Sequence, residues 1–471
     1  MERIEEIKEL VEKKLPIFTD ASDRIWEYAE TAFQEKKSSA LQAEIMEKEG
    51  FRVEMGVAGL ETALTATFGS GHPVVAILGE YDALPELSQK ADTPYACPIE
   101  SGKPGHGCGH NLLGCGAMAA ATAVKDYMQA HNLSGTVRYY GCPAEEGGCG
   151  KSYMIREGLF KDVDIALTWH PAQFNYAWDG SDSLAIIQMK YHFDGISSHA
   201  AASPQLGRSA LDALELMNVG VQFLREHIIP EARIHYAILD AGGPAANVVQ
   251  SRAEALYLVR TPRMSDLLQI ADRLDLIAKG AAMMTETTVK KIPVSGISNL
   301  RTTRTVYDRY MANLKSILPV DYTPEEETYA EQFKKTYSEG DMPRLLRSLQ
   351  TSYPDKSMED IQAMLKMPMP NYYCRELENN GSSDAGDVTW VVPSCQLHVA
   401  CFPVGTPYHS WQMTTMGKSP IAHKGMATAA KAIALTALDF ITDPALTQKA
   451  WDDFKAMMGD EHYTCLLPPA E

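Results

Sequence analysis

Two hydrophobic patterns alternate along this chain and predict an α/β fold. Some apolar runs are short and continuous, which is typical of strands covered on both faces. Others repeat at helical spacing. Strands that alternate with helices predict a largely parallel central sheet flanked by helices. The continuous runs are Pro73–Gly79, Thr136–Gly141, Val163–Thr168 and Gln396–Phe402. The main predicted helices are Ile4–Leu15, Ile17–Glu35, Ser38–Gly50, Leu112–Met128, Val306–Leu318, Glu325–Tyr337 and Gly425–Phe440.

The pattern changes in the middle of the chain, where strands become half-exposed. The order strand–helix–strand–strand–helix–strand is that of a ferredoxin-like domain, and it fills roughly one hundred residues, enough for a small domain. We therefore expect one domain built from residues 1–183 and 297–471, with a second domain, 184–296, inserted into it. Gly340–Glu376 is rich in Pro and Met, and we expect it to be irregular. The inserted elements are Leu184–Phe193, Ser209–Glu226, Ile234–Leu239, Ala253–Arg260, Ser265–Thr285 and Thr287–Val294.

Composition and charge exclude several classes of function. The formal net charge is −18 and no cluster of Lys and Arg is present, which argues against a nucleic-acid partner. No uninterrupted apolar run reaches the ~18 residues of a membrane helix. Nine scattered cysteines do not resemble a disulfide framework, and Met1–Lys14 lacks the apolar core of a signal peptide. We expect a cytoplasmic protein without a membrane partner.

The segment Gly105–Asn111 carries the densest chemistry in the chain. It reads Gly-His-Gly-Cys-Gly-His-Asn, so that two histidines and a cysteine lie between glycines. Imidazole and thiolate are preferred ligands of zinc-like divalent ions, and glycines let the backbone fold closely around an ion. The alternative is a glycine-rich turn before a core helix with a chance cysteine.

Acidic and histidine side chains also follow the predicted strands, where open α/β sheets bind their ligands. Adjacent carboxylates can divide their work, one binding a metal ion while the other takes a proton from water. Each residue alone has a structural explanation, as a turn residue, a solvated pair or a core histidine. A second alternative is a thiol hydrolase with Cys108 as nucleophile and His110 as base, which would leave the other residues without a role. The residues at strand ends are Glu80, Asp82, Glu145, Glu146, His170 and His409.

The motifs Gly-His-Gly-Cys-Gly-His-Asn, Pro-Ala-Glu-Glu-Gly-Gly, Trp-His-Pro and Gly-Thr-Pro-Tyr-His-Ser-Trp resemble the amidohydrolase branch of the dinuclear metallo-carboxypeptidase/aminoacylase family. The resemblance covers nearly the whole chain. It implies a catalytic domain interrupted by a smaller lid domain that dimerises, and two divalent ions, Mn²⁺ or Zn²⁺, in each protomer. The implied metal ligands are Cys108, His110, Glu146, His170 and His409.

The resemblance also implies roles for residues outside the ligand set. Glu145 is the implied general base. His199 would reach the active site of the other protomer, and Asn247 would contact substrate. The chain departs from the family pattern at Asn111 and Glu80, where many members have Asp. Three cations, Arg208, Arg260 and Arg263, are candidates for binding a substrate carboxylate, although structural salt bridges are the more common role of such residues.

The function that follows is metal-dependent hydrolysis of the amide bond of an N-acyl or N-aroyl amino acid, with p-aminobenzoyl-glutamate the first candidate. A dipeptidase or another aminoacylase is the alternative within the family. The expected assembly is a homodimer or a hetero-oligomer with a related chain, in which case this chain could also be a non-catalytic partner.

Overall fold

The computed structural model describes residues 2–181, 183–338, 341–374 and 381–468 of the chain. These residues form two compact units. Apart from the residues not described, the first unit contains 1–180, 301–379 and 387–463, and the second contains 181–300, 380–386 and 464–471. The boundaries of the middle segment lie three and four residues from those expected at 183/184 and 296/297. Two short later segments, which the sequence pattern assigned to the first domain, belong to the second unit.

The helices and strands follow one another along the whole chain. The strands are β1 (Arg52–Met55), β2 (Leu64–Ser70), β3 (Val74–Glu80), β4 (Gly135–Cys142), β5 (Ile165–Ala172), β6 (Tyr176–Trp178), β7 (Ala185–Asp194), β8 (Arg233–Asp240), β9 (Arg252–Thr261), β10 (Thr288–Ile297) and β11 (Ser394–Ala400). The helices are α1 (Glu2–Tyr28), α2 (Lys36–Lys48), α3 (His110–Ala130), α4 (Gly150–Arg156), α5 (Ala210–Leu224), α6 (Met264–Thr285), α7 (Arg304–Ile317), α8 (Pro324–Lys334), α9 (Asp341–Ser352), α10 (Met358–Lys366), α11 (Ala385–Thr389), α12 (Trp411–Met416), α13 (Pro420–Thr442) and α14 (Pro444–Met458).

The sheet of the first unit has seven strands in the order β1-β2-β4-β3-β5-β11-β6. Its four central strands, β4, β3, β5 and β11, are parallel to one another. The outer pairs β1–β2, β2–β4 and β11–β6 are antiparallel. The expected largely parallel sheet is therefore a mixed sheet. The expectation failed at the edges because β1 and β6 are short, and no continuous apolar run marks them in the sequence.

Alanine-rich helices cover the central strands. Helices α3 and α13 are buried along most of their length, and small side chains let their backbones approach the sheet closely. At Gly114 in α3, an added Cβ would lie 2.6 Å from the carbonyl oxygen of Glu80. Among the described residues, α13 is also long and apolar enough to cross a membrane. However, 89% of its apolar window is buried inside the structure, as in a core helix.

The second unit is a four-stranded antiparallel sheet in the order β10-β7-β9-β8, with helices α5 and α6 packed on it. Buried and half-buried residues alternate along β7 and β9, as expected for strands with one covered face. The chain order of these elements, strand–helix–strand–strand–helix–strand, is the predicted one. Strand β8 lies at the edge of the sheet.

Two predictions of local structure are wrong. The segments Ile4–Leu15 and Ile17–Glu35 form one helix, α1, with Pro16 inside it, because one apolar face continues through Val11, Phe18 and Ile25 and is buried. The segment expected to be irregular, Gly340–Glu376, contains α9 and α10, while its residues 340, 375 and 376 lie outside the described residues. A capping box at Ser357 and Asp360 begins α10 and is the sequence signal that was missed.

Candidate metal centre

The four parallel strands bring acidic and histidine side chains to one edge of the sheet. Glu80 is the last residue of β3, and Glu145 and Glu146 follow the end of β4. His170 lies within β5 rather than beyond it, and His409 lies nine residues after the end of β11. Because parallel strands present their carboxyl ends together, residues distant in sequence converge there.

The glycine-rich segment joins this edge through its backbone. Gly109 adopts a left-handed conformation (φ 79°) directly before α3 begins at His110. Gly105 lies against the backbone of Leu87, where an added Cβ would overlap the Leu87 carbonyl oxygen. The His409 amide donates a hydrogen bond to the Gly107 carbonyl oxygen at 3.0 Å. The segment is thus a tight loop that places Cys108 and His110 beside the loop of His409.

Five predicted ligands form two groups that share one sulfur atom. One ligand atom each from Cys108, His110 and His170 lie within 4.8 Å of one another, and so do those of Cys108, Glu146 and His409. The Cys108 Sγ to His170 Nε2 distance is 3.4 Å, and His409 Nε2 lies 3.6 Å from Glu146 Oε1. A thiolate between two groups of N and O donors is a suitable arrangement for two neighbouring divalent ions.

The orientation of two of these histidines is set by hydrogen bonds at Nδ1. His110 Nδ1 donates to Asp82 Oδ1 at 2.9 Å, and His170 Nδ1 donates to the Pro171 carbonyl oxygen at 2.8 Å. Each bond leaves Nε2 as the free ligand atom and faces it into the cluster. The second oxygen of Asp82 accepts the Glu146 amide at 2.9 Å, so that Asp82 also positions the acidic loop.

Unsatisfied buried atoms show that the residues fit a metal site. Among the residues that the structure describes, His110 Nε2 and Glu146 Oε1 are buried without a hydrogen-bond partner. Such atoms cost free energy unless something binds them. Burial and the nearby Glu146 carboxylate hold the pKa of the Cys108 thiol well above its usual range. Burial also raises the pKa of Glu146. Bound cations would stabilise the anionic forms of both groups.

A third group of possible ligand atoms includes the other acidic residue of the pair. Glu145 lies within 4.8 Å of ligand atoms of Glu80 and His110, and its Oε2 is 4.0 Å from His110 Nε2. Its side chain is 11% exposed, as is that of Glu146. Glu145 is therefore placed beside the predicted ligands at a position that solvent reaches.

His199 and Asn247 are neighbours in the second unit. The Ala200 amide donates to the Asn247 carbonyl oxygen at 3.0 Å, and both His199 and Asn247 are exposed. His199 Nδ1 accepts hydrogen bonds from the amides of Ala201 and Ala202 at 3.2 and 3.1 Å. Because Nδ1 is an acceptor, the proton of the neutral ring lies on Nε2, which is then available as a donor.

Two of the arginines proposed for carboxylate binding are in ion pairs within the second unit. Arg208 pairs with Glu286 at 2.8 Å, and Arg263 pairs with Asp266 at 2.7 Å. Arg260 is a half-buried residue of β9.

Sequence reasoning overestimated one histidine and missed two further residues. His106, the first histidine of the glycine-rich segment, is buried with its Nε2 bonded to the Ile25 carbonyl oxygen, and it joins neither group. The ring of His398 stacks on His170 with centroids 5.7 Å apart. Lys151 is fully buried and forms an ion pair with Glu80. Neither residue has a distinctive sequence signal, since His398 lies inside an apolar strand and lysines are almost always exposed.

Comparison with known proteins decides the family. The model of peptidase family M20/M25/M40 matches residues 76–467. The chain belongs to this family. Among the family's solved structures, a dinuclear metal-binding peptidase from Bacillus subtilis covers 93% of this chain and 100% of its own at 14% identity, with a TM-score of 0.56, which shows the same fold. The predicted family is thus confirmed, and the protein is a hydrolase of amide bonds. Membership also favours the metal site over the thiol-hydrolase alternative.

Two curated relatives extend over most of the chain. One of the component chains of p-aminobenzoyl-glutamate hydrolase from Escherichia coli K12 is 42% identical over 466 residues, covering 98% of this chain and 97% of its own. The Xaa-Arg dipeptidase of Mus musculus is 28% identical over 455 residues, covering 93% of this chain and 89% of its own. The glycine-rich segment, the acidic pair and the strand-end histidines thus belong to a chain similar to family enzymes along nearly its full length.

Proposed function

We propose that this protein hydrolyses the amide bond of N-acyl and N-aroyl amino acids, with p-aminobenzoyl-glutamate as the preferred substrate. The products would be p-aminobenzoate and glutamate. The observation that carries the proposal is the pair of ligand groups that share the Cys108 sulfur. The substrate is inferred from the E. coli relative at 42% identity.

The ligands proposed for the two ions, Mn²⁺ or Zn²⁺, divide between the two groups. Cys108, His110 and His170 would hold one ion, and Cys108, Glu146 and His409 the other. When bound, such ions lower the pKa of a water and polarise the scissile carbonyl. Asp82 orients His110 and the Glu146 backbone, which keeps both ligands aimed at the cluster.

Glu145 is the proposed general base. It lies next to a proposed ligand in sequence, 4.0 Å from His110, and is partly exposed, so water and substrate can reach it. Its carboxylate would take a proton from the attacking water. The same proton would then pass to the nitrogen of the leaving amine as the amide bond breaks.

The second unit is proposed to be a ferredoxin-like lid and dimerisation domain. Its edge strand β8 exposes Tyr236, Ile238 and Leu239, with 41%, 48% and 49% of their surfaces accessible. An exposed apolar edge strand offers unpaired backbone groups to a partner strand. The partner would be a second copy of this chain or a related chain, and the complex would be cytoplasmic.

The lid residues are proposed to complete the active site of the partner protomer. His199, whose Nε2 is available as a donor, would stabilise the oxyanion that forms during hydrolysis. Asn247, beside it in the structure, would contact the substrate.

A substrate panel tests this function. The purified chain, loaded with Mn²⁺ or with Zn²⁺, is assayed against p-aminobenzoyl-glutamate, hippurate, other acyl-amino acids and dipeptides that end in arginine. We expect the highest kcat/KM on p-aminobenzoyl-glutamate. A higher value on the dipeptides would assign the chain to the dipeptidase alternative. Activity that appears only after a related chain is added would show that this protein is one component of a hetero-oligomer.

A further inference from the structure

Lys151 is a buried cation beside the proposed metal ligands. It is the second residue of α4, its side chain is completely inaccessible to solvent, and its Nζ lies 2.6 Å from Glu80 Oε1. The other oxygen of Glu80, Oε2, lies 3.3 Å from His110 Nε2. Glu80 therefore stands between the lysine and a nitrogen proposed to bind metal.

A lysine this deep in a protein needs compensation, since removing a charge from water costs several kcal/mol unless it is paired. The surrounding groups suggest what it compensates. Four carboxylates and the Cys108 thiolate would carry five negative charges, and two divalent ions would supply four positive charges. Lys151 supplies the fifth and makes the buried centre neutral. The four carboxylates are those of Glu80, Asp82, Glu145 and Glu146.

Glu80 could also act as a ligand, because its oxygen lies within 4.8 Å of ligand atoms of His110 and Glu145. Binding an ion directly would require the carboxylate to leave Lys151 or share its charge. The ion pair opposes this because an unpaired buried lysine is costly.

We propose that Lys151 is a positioning residue that holds Glu80 out of the metal coordination sphere and balances the charge of the loaded centre. The inference rests on the proposed metal site. Without Lys151, Glu80 would turn toward the ions, and the centre would gain one uncompensated negative charge. The ions would then bind more tightly, while the extra ligand would compete with water and substrate.

The experiment measures metal affinity in the apoprotein by competition with a chromophoric chelator, together with the Tm of the apoprotein and kcat. The variants are Lys151→Met, Glu80→Gln and the double variant. The matched control is Lys125→Met. Lys125 is also buried and paired with a neighbouring acid, but it lies fifteen residues beyond His110 in α3, about 22 Å along the helix.

We expect Lys151→Met to bind Mn²⁺ at least about tenfold more tightly, with kcat at least about tenfold lower and a lower apoprotein Tm. The double variant should return to within about threefold of wild-type affinity and recover much of kcat, because both charges are gone. Lys125→Met should leave affinity and kcat unchanged.

Weaker or unchanged metal binding in Lys151→Met would assign the lysine a purely structural role and overturn the inference. If that variant does not fold, the double variant decides alone. Wild-type affinity in it supports the inference, and much weaker binding would make Glu80 a ligand. A wild-type chain that binds no metal would instead contradict the proposed function.

Discussion

Two adjacent carboxylates have different surroundings at the candidate metal centre. The Glu146 amide is bonded to Asp82, and its buried Oε1 faces His409 at 3.6 Å. Glu145 lies near His110 and belongs to no group that includes Cys108. The sequence could predict that such a pair divides its work, but only the folded loop shows which of the two faces the shared sulfur.

Substituting each carboxylate by its amide should separate the two roles. Glu145→Gln keeps the size and shape of the side chain but removes the base, so kcat should fall by ~10²–10⁴ while metal content stays near that of wild type. Glu146→Gln removes an anionic ligand and should lower metal affinity at least about tenfold. Elemental analysis and steady-state kinetics measure both effects. The opposite pattern of metal loss would reverse the assignment of the pair.

The loop between β4 and α4 positions these carboxylates through a close backbone approach. An added Cβ at Gly150 would overlap the Pro143 carbonyl oxygen, so the two ends of the loop are in contact. Gly147, in the same loop, has no atom within 4 Å of the position a Cβ would take. The two glycines therefore form a matched pair of sites for substitution.

Gly150→Ala should force the ends of the loop apart and displace both carboxylates. We expect a lower Tm and at least a tenfold loss of metal affinity, of the order seen when the support of a ligand is removed. Gly147→Ala should leave both quantities close to wild type. Equal effects of the two substitutions on metal affinity would mean that the close approach does not position the acidic pair.

Elements with a long, strong pattern could be predicted from sequence, and elements set by tertiary contacts could not. The buried strands β3, β4, β5 and β11 and the alanine-rich helix α3 lie where their apolar runs indicated. The short strand β6 has only three residues, too few to show a period. Proline at position 16 suggested a break in a helix whose buried face continues through it.

At the candidate site, chemical type and strand-end position sufficed for the proposed ligands, whereas their supports required the structure. Asp82 read as a turn residue and is the partner of His110. Lys151 could not be predicted, because its burial depends on an acidic partner seventy-one residues away in the chain.

At the scale of the whole molecule, the proposal requires a dimer whose two chains share each active site. Mixing an inactive His199→Ala chain with an inactive Glu145→Gln chain tests this. In a mixed dimer, one site would receive an intact Glu145 from one chain and an intact His199 from the other. Activity should reappear on exchange of protomers, up to about half of the wild-type value per mixed dimer if each site loses the usual ~10²–10³ without its donor. No recovery, with exchange confirmed by mass spectrometry, would show that His199 does not act across the interface.

The central claim is that the clustered ligands hold two divalent ions on which amide hydrolysis depends. Its most direct test is reconstitution of the metal-free protein, in which bound Mn²⁺ or Zn²⁺ and hydrolysis of p-aminobenzoyl-glutamate are measured in the same samples. We expect prolonged chelation to abolish hydrolysis and full activity to return when two ions are bound per chain. Full activity in a preparation shown to be metal-free, or saturation at no bound ion, would contradict the claim.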